Sequence, residues 1–143
     1  LEYKIISDGN YPMMGVNTGS HNGSYGATDA QYIYHDGSRY PGGYSTGLGS
    51  NGVNDIIMIA YDTAAGSHGK VWFGTNGNWQ DSLSNSDIAS GTGGQFFSSG
   101  DSDTNGLRVA FASGGSSADN YRIEIISHTQ GAQYTIPTGF TLA

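Results

Sequence analysis

Apolar residues along the chain fall in short runs that glycine and small polar residues interrupt. The run within Val53–Tyr61 is rich in isoleucine and nearly continuous, which predicts a strand buried on both faces. Tyr121–Ile125 alternates apolar and polar residues instead, as is typical of a half-buried strand. The same logic predicts strands at Leu1–Ser7, Met13–Asn17, Gln31–His35, Lys70–Gly74 and Leu107–Ala112, with weaker signals at Gln95–Phe97 and Tyr134–Ile136.

Turn signals between these runs indicate how the strands connect. Asp36-Gly37 and Asn76-Gly77 each separate two runs that contain aromatic residues, and both dipeptides tolerate the positive φ of a type I′ hairpin turn. Asn78–Ser90 is rich in Ser, Asn and Asp, which compete for backbone hydrogen bonds, so it is predicted to hold at most a short helical turn. Many short strands with frequent turns predict an all-β antiparallel sandwich or barrel. Surface loops are predicted at Gly19–Thr28, Gly42–Gly52 and Gly91–Gly94.

Composition narrows the class further. Glycine makes up 24 of the 143 residues, which rules out a helical bundle, and the length suits a single domain over residues 1–143. No apolar run reaches the roughly 18 residues of a membrane-spanning helix. Cysteine is absent, which excludes disulfides and thiolate chemistry. Because the first residue is Leu1 rather than Met, we expect a module or fragment of a longer chain.

The charge balance argues against polyanionic partners. Five basic residues stand against twelve acidic ones, a formal net charge of −7. Nucleic-acid affinity depends on Lys and Arg that neutralise phosphates, and anionic membranes attract the same residues. We therefore expect no nucleic-acid partner and no membrane insertion.

Several segments resemble one known family. Lys70–Trp79, which reads KVWFGTNGNW, resembles the signature hairpin of SPRY-type domains. Asn54–Asp62 is similar to the family's G-D-V-I-G-V-A-L-D strand, with Asn54 in place of the glycine. Leu1–Ile5 with Met13–Val16 resembles the family's opening strand pair, and Tyr134–Phe140 resembles the Y-x-x-P-x-G-F terminus of phage members.

The resemblance covers nearly the whole chain and implies both a fold and a role. The fold it implies is a two-sheet antiparallel jelly-roll sandwich of the concanavalin A-like type. The role it implies is a binding module rather than an enzyme, in a phage tail fibre or other virion protein, and hence an extracellular virion location. The peptide-binding animal members carry different loop signatures, so their partner motifs are not transferred.

Catalytic residue patterns are absent from the sequence. The two glutamates, Glu2 and Glu124, each lie in a predicted strand, and no Glu-x-Asp-x-Glu pattern places carboxylates together as in jelly-roll glycosidases. No Gly-x-Ser-x-Gly elbow occurs between a strand and a helix. The histidines lack zinc-site spacing and are interpreted as surface residues: His21, His35, His68 and His128. We expect no enzymatic activity.

One segment resembles the first half of a calcium loop. Asp101–Gly106 reads DSDTNG, so oxygens at alternate positions could converge on one ion while the glycine permits a sharp turn. The candidate ligands are Asp101, Asp103 and Asn105. Ala112 stands where the bidentate glutamate is expected, so Asp119 or a backbone carbonyl would have to complete the shell. The alternative interpretation is a turn stabilised by Asp and Asn side chains.

The strongest binding signal is a tyrosine-rich segment, Tyr32–Tyr44. Aromatic rings stack on the C–H faces of sugars while Asp, Asn and Arg bond to hydroxyls, and Tyr and Arg are also enriched in protein-binding hot spots. The candidate ligand-binding residues are Tyr34, His35, Asp36, Arg39, Tyr40 and Tyr44, with Tyr11 and Tyr25 from a second cluster. The alternative is that Tyr32 and Tyr34 are ordinary core residues and Asp36-Gly37 is only a turn.

Four other conspicuous side chains are interpreted as structural or solvent-facing. Trp72 and Trp79 are predicted to be buried and to stabilise the sandwich. Arg108 and Arg122 are predicted to lie on a solvent-exposed face, because each arginine alternates with apolar neighbours.

The function this sequence favours is recognition of a host-surface polysaccharide by a virion appendage. The alternatives are a structural virion domain that docks another protein and, least favoured, a glycan hydrolase. The sequence does not fix the oligomeric state, and a homo-oligomer is one alternative.

Overall fold

The computed structural model describes residues 1–7, 12–17, 30–41, 44–97, 108–113, 122–126 and 130–141. These ranges hold eleven strands in two antiparallel sheets that pack as a sandwich, consistent with a jelly-roll-like fold. The prediction of an all-β sandwich is thereby confirmed.

Sheet A has the strand order β11-β1-β6-β7-β8, and β9 pairs with β7. Its strands are β1 (Glu2–Ser7), β6 (Ile56–Asp62), β7 (Lys70–Thr75), β8 (Asn78–Trp79), β9 (Gln95–Phe96) and β11 (Arg122–Ile126). Sheet B has the order β10-β2-β3-β4-β5. Its strands are β2 (Pro12–Asn17), β3 (Ala30–Tyr34), β4 (Ser38–Tyr40), β5 (Tyr44–Ser45) and β10 (Arg108–Ser113).

Most predicted strands are present, but three segments differ from the prediction. The predicted loop Gly42–Gly52 contains the short strand β5, in which Tyr44 and Ser45 pair with β4. The strand expected from Val53 begins only at Ile56, because Asn54 has φ +74° and the Asp55 carboxylate accepts a hydrogen bond from the Gly52 amide at 2.7 Å, which together form a turn. Tyr134–Ile136 was predicted as a strand, and that prediction is wrong. The segment has no ladder partner in the described part of the chain.

The inter-sheet core is built from alternate residues of both sheets. Each strand directs every second side chain inward, so one face of each sheet is apolar. Burying one such aliphatic or aromatic side chain stabilises the fold by roughly 1.5–3 kcal/mol. The fully or almost fully buried members are Tyr3, Ile5, Met14, Val16, Ile33, Ile57, Ile59, Val71, Phe73 and Phe97.

Each sheet also carries an apolar cluster on its outer face. On sheet A the cluster combines Met58, Ala60, Trp72, Trp79 and Ile88, with Leu83, Tyr134 and Phe140 packed against it. This second layer explains why the central residues of β6 are buried on both faces, as predicted. It also confirms that both tryptophans are buried structural residues. On sheet B the outer cluster combines Met13, Ala30, Tyr32 and Ala110.

The two predicted hairpins form, with different turns. Asn76 and Gly77 both have positive φ, +51° and +85°, and Thr75 pairs with Asn78, so this is the expected two-residue type I′ turn. The other hairpin has a three-residue loop of His35, Asp36 and Gly37, closed by the Gly37 amide bonding to the Tyr34 carbonyl at 2.9 Å. Within this fully described loop only Gly37 has positive φ, +81°, so the predicted type I′ turn is wrong here.

One short helix occupies the polar stretch between β8 and β9, as predicted. A tight turn spans Gln80–Ser82, where Asp81 and Ser82 have positive φ, +55° and +58°, and the helix α1 spans Asn85–Ala89. Ser84 caps α1: its hydroxyl accepts from the Asp87 amide, and the Asp87 carboxylate accepts from the Ser84 amide at 2.8 Å. The helix places Ile88 over the outer cluster of sheet A.

Candidate functional site

The β3–β4 hairpin divides the predicted tyrosine cluster between two faces of sheet B. Residues opposite each other in an antiparallel pair share a face, and successive residues alternate. Tyr40 lies opposite Tyr32, and with Tyr34 it packs on the outer apolar cluster. Arg39 lies opposite the core residue Ile33 and therefore on the inner face. The six candidate residues thus do not form one continuous surface.

Of these residues, Tyr34 and Tyr40 are only half-buried, and both take part in packing. The ring of Tyr34 meets the imidazole of His35 edge to face, with centroids 4.4 Å apart. Tyr32 is 4% exposed, so it is buried as the alternative interpretation holds, but it lies in the outer cluster of sheet B and not in the inter-sheet core. These side chains therefore stiffen the hairpin while presenting only part of their surface.

Arg39 and Tyr44 come together at the edge of the sandwich with a residue that the sequence did not single out, Gln95. Arg39 Nη1 donates a 2.7 Å hydrogen bond to Gln95 Oε1, and the Arg39 guanidinium carbon lies 5.6 Å from the centroid of the Tyr44 ring. Tyr44 pairs with Arg39 in the β4–β5 ladder, and its side chain is 65% exposed. We call Arg39, Tyr44 and Gln95 the rim platform.

The Arg39–Gln95 bond joins the two sheets, because Gln95 belongs to β9 of sheet A. A guanidinium held by a hydrogen bond on one side and an aromatic face on the other loses little further freedom when a ligand binds. Phe96, next along β9, is 50% exposed. The edge therefore offers a fixed cation and one solvent-exposed ring, that of Tyr44, whereas Phe96 lies beside Lys70 on the outer face of sheet A.

The turn of the hairpin carries a carboxylate in a defined position. Asp36 Oδ1 accepts hydrogen bonds from the Ser38 hydroxyl at 2.6 Å and from the Ser38 amide at 2.8 Å. The hydrogen bond from the Ser38 hydroxyl is the main reason that the pKa of Asp36 lies below its usual value. The hydrogen bond from the Ser38 backbone N–H lowers the pKa further. Asp36 is exposed, so it stays ionised and faces solvent at neutral pH.

A buried polar network anchors this hairpin to sheet A. The backbone N–H of Asn51 donates a hydrogen bond to the His35 carbonyl at 2.6 Å, and its side-chain Nδ2 donates to the Tyr34 carbonyl at 3.2 Å. Asn51 Oδ1 in turn accepts from the Thr75 hydroxyl at 2.9 Å. Thr75 precedes the Asn76-Gly77 turn, so both predicted hairpins are held at the same end of the sandwich.

Lys70 is held by several contacts on the outer face of sheet A, the face that carries Trp72. Its Nζ donates to the Gly91 carbonyl at 2.5 Å and lies 4.8 Å from the Phe96 ring centroid and 5.2 Å from that of Trp72. The side chain is 8% exposed. Lys70 therefore supports Phe96 and Trp72 rather than forming part of a cationic surface.

The two glutamates have different surroundings. Glu2 is 5% exposed, and its two carboxylate oxygens accept hydrogen bonds from the amides of Gln133 and Tyr134, at 2.7 Å and 3.1 Å. This explains why Tyr134–Ile136 forms no ladder: its leading amides bond to a side chain instead. Glu124 is exposed and accepts from Gln130 Nε2 at 3.0 Å.

The remaining predictions have separate outcomes. Arg108 and Arg122 are exposed, as predicted. Several predicted site residues lie outside the described residues: Tyr11, Tyr25, Asp101, Asp103 and Asn105, together with His21, His128 and Asp119. Within the described ranges, no three His, Asp or Glu side chains cluster as metal ligands would. No helix in those ranges is long and apolar enough to cross a membrane.

The comparisons with known proteins add no relative. No family model matches the chain, and neither the curated proteins nor the solved structures give a match. The SPRY-type resemblance therefore stays a prediction that depends on the sequence motifs.

Proposed function

We propose that this chain is a non-enzymatic binding module of a phage or phage-like virion appendage, and that it recognises a host-surface glycan. The observation that carries the proposal is the rim platform: an exposed Tyr44 ring beside an Arg39 guanidinium that is fixed to the opposite sheet. The aromatic face suits the C–H surface of a sugar ring, and the guanidinium suits hydroxyl or acidic groups on it.

Rigidity supports the same proposal. The hairpin that precedes Tyr44 is bonded to Asn51 and through it to Thr75, so the platform is presented by both sheets at once. A site that is ordered before binding pays less conformational entropy when the ligand arrives. The ionised Asp36 at the turn adds an acceptor for hydroxyl groups close to the tyrosines.

A second candidate function is docking to another virion protein. The observation that favours it is Phe96, a half-exposed ring on β9 beside Gln95. Aromatic and arginine side chains are frequent hot spots in protein interfaces. Phe96 would contribute to such an interface from the outer face of sheet A, without any sugar.

The experiment that separates the two is a single substitution at the platform in the virion that carries this chain. Tyr44→Ala removes the ring without opening the core, whereas Tyr40 packs on the outer cluster and is a poorer choice. Glycan recognition predicts that particles assemble normally but that adsorption to host cells falls by roughly 30-fold, since loss of a hot-spot aromatic costs about 2 kcal/mol.

Tyr44→Phe is the matched control, because it keeps the ring and should retain most adsorption. Failed assembly with Tyr44→Ala, while the variant chain is folded, would favour docking. Unchanged adsorption with intact particles would contradict the proposal.

A further inference from the structure

A second concave site lies on sheet A, on the face that does not meet sheet B. The segment Tyr134–Thr141 crosses this face and leaves a cleft of about 410 Å³ between itself and β6. Sites for small molecules usually enclose roughly 300–1,000 Å³. We call this space the sheet A cleft. It contains none of the rim platform residues, which lie at the edge of sheet B and on β9.

The lining of the cleft is mixed in character. Met58 and Ala60 of β6 form an apolar floor, and Trp79, Tyr134 and Phe140 contribute aromatic side chains. Asp62, Thr63, Thr135 and Thr138 add a carboxylate and hydroxyl groups. Such a surface matches a ligand that is apolar on its faces and polar around its edge.

The charge of the lining limits the ligand further. Among the described residues that line the cleft, none is Lys, Arg or His. Two carboxylates, Glu2 and Asp62, are among them. Leu1 also lines the cleft, and its amino group donates to the Ile59 carbonyl at 2.9 Å. Burial lowers the pKa of this amino group, and its single charge offsets the two carboxylates only in part. An anionic ligand would therefore meet a described lining with an excess of negative charge.

Of the two carboxylates, Asp62 is the better placed to bond to a ligand. Glu2 is 5% exposed, and each of its oxygens already accepts a hydrogen bond, from the backbone amides of Gln133 and Tyr134. Asp62 Oδ1 accepts from the Ala64 amide at 2.9 Å, and no hydrogen bond among the described residues uses its Oδ2. Asp62 is half-buried, so an acceptor there is partly shielded from water.

We propose that the sheet A cleft binds a neutral carbohydrate of one or two sugar residues. Asp62 Oδ2 accepts from the sugar hydroxyls, the hydroxyls of Thr135 and Thr138 add weaker bonds, and the aromatic side chains contact the C–H faces. The lining disfavours sugars that carry carboxylate groups. This inference does not depend on the rim platform, which lies elsewhere and contains a cation.

The test is an NMR titration of the ¹⁵N-labelled chain with maltose, cellobiose and lactose, and with methyl glucuronide as the acidic probe. At least one neutral disaccharide should shift the amides of residues 60–63 and 134–140, with an affinity at least tenfold above that for the glucuronide. Shifts in those residues from no neutral disaccharide, or equal binding of the glucuronide, would overturn the proposal. Binding of the cation tetramethylammonium, without binding of any sugar, would also overturn the proposal.

Asp62→Asn sharpens the test, because the amide oxygen still accepts from Ala64 and the turn is kept. Affinity for the neutral sugar should fall about tenfold, as expected when a hydrogen bond to a charged group is weakened, and discrimination against the glucuronide should shrink. Glu124→Gln removes the same charge from β11 of the same sheet, outside the cleft lining, and should change neither value. An Asp62→Asn variant that binds both sugars as the parent does would overturn the role of Asp62.

Tyr44→Ala distinguishes this site from the proposed glycan-recognition site. It should reduce recognition at the rim platform roughly 30-fold and leave the cleft titration unchanged. Loss of cleft binding in Tyr44→Ala would show that the two sites are not separate, which contradicts the proposal.

Discussion

At the scale of single residues, Gly37 shows how closely the hairpin is packed. It has φ +81°, and a Cβ built on it would lie 2.1 Å from the Gly49 carbonyl oxygen, which is backbone and cannot move aside easily. The Thr46 hydroxyl and amide also bond to the Gly37 carbonyl. Both the conformation and the contact therefore require glycine at this position.

We predict that Gly37→Ala lowers the free energy of unfolding by about 3 kcal/mol, because it adds a backbone clash to the cost of a left-handed conformation. Gly47→Ala is the matched control: Gly47 has φ +73° but no heavy atom within 4 Å of a built Cβ. It should cost only about 1 kcal/mol. Urea denaturation of both variants measures the difference, and equal losses would contradict the packing described for Gly37.

At the scale of elements, the hairpin turn couples a serine to the ionisation of a carboxylate. The Ser38 hydroxyl bond holds the pKa of Asp36 below its usual 3.8. A group whose pKa is lower in the folded state stabilises that state above its unfolded pKa and loses this contribution as the pH falls through the folded pKa. The stabilisation is therefore complete at neutral pH and disappears only in acid below about pH 4. It is small, because Asp36 is exposed.

We predict that Ser38→Ala raises the pKa of Asp36 back toward its usual value. The variant loses the hydrogen bond from the hydroxyl and keeps only the hydrogen bond from the backbone N–H of residue 38. A ¹³C NMR titration of the Asp36 carboxyl group measures this directly. Ser50→Ala, at another exposed serine, should leave the titration unchanged. A pKa that is the same in the parent and in Ser38→Ala would refute the role given to the hydroxyl.

Comparison of two turns and one segment with their predictions shows which parts of the fold could be predicted from the sequence. The Asn76-Gly77 turn was predictable, since an Asn-Gly pair between two strands favours positive φ at both positions. The hydrogen bonds of the Asn76 side chain with Asp55 and the Ile56 amide were not predictable from the pair. The Asp36-Gly37 hairpin was predictable, but its loop length was not, because Gly37 packs against the distant Gly49. Tyr134–Ile136 looked like a strand because nothing local reveals that Glu2, more than 130 residues away, accepts the bonds of the Gln133 and Tyr134 amides.

The same distinction applies to the candidate site. Alternation along β4 could have separated Arg39 from Tyr40, since neighbouring residues in a strand point to opposite faces. The contact between Arg39 and Gln95 could not be predicted, because the two residues are 56 positions apart and meet only through the packing of two sheets. Gln95 had no signal of its own beyond membership of a weakly predicted strand.

At the scale of the whole molecule, the sandwich places two different surfaces on different parts of one framework. The rim platform combines a cation with one exposed ring at the edge of both sheets, and the sheet A cleft combines carboxylates with aromatic side chains on an outer face. Buried polar bonds such as Thr75 to Asn51 connect the hairpin to sheet A. The framework therefore presents both surfaces in fixed positions, which suits binding.

The central claim is that the rim platform binds a glycan, and a glycan array tests it most directly. The isolated chain, checked for folding by circular dichroism, should bind a subset of bacterial surface polysaccharides, and Tyr44→Ala should reduce that signal by roughly 30-fold. Tyr44→Phe should retain most of it. Absence of binding to every polysaccharide by the folded chain, or equal binding by Tyr44→Ala, would contradict the claim.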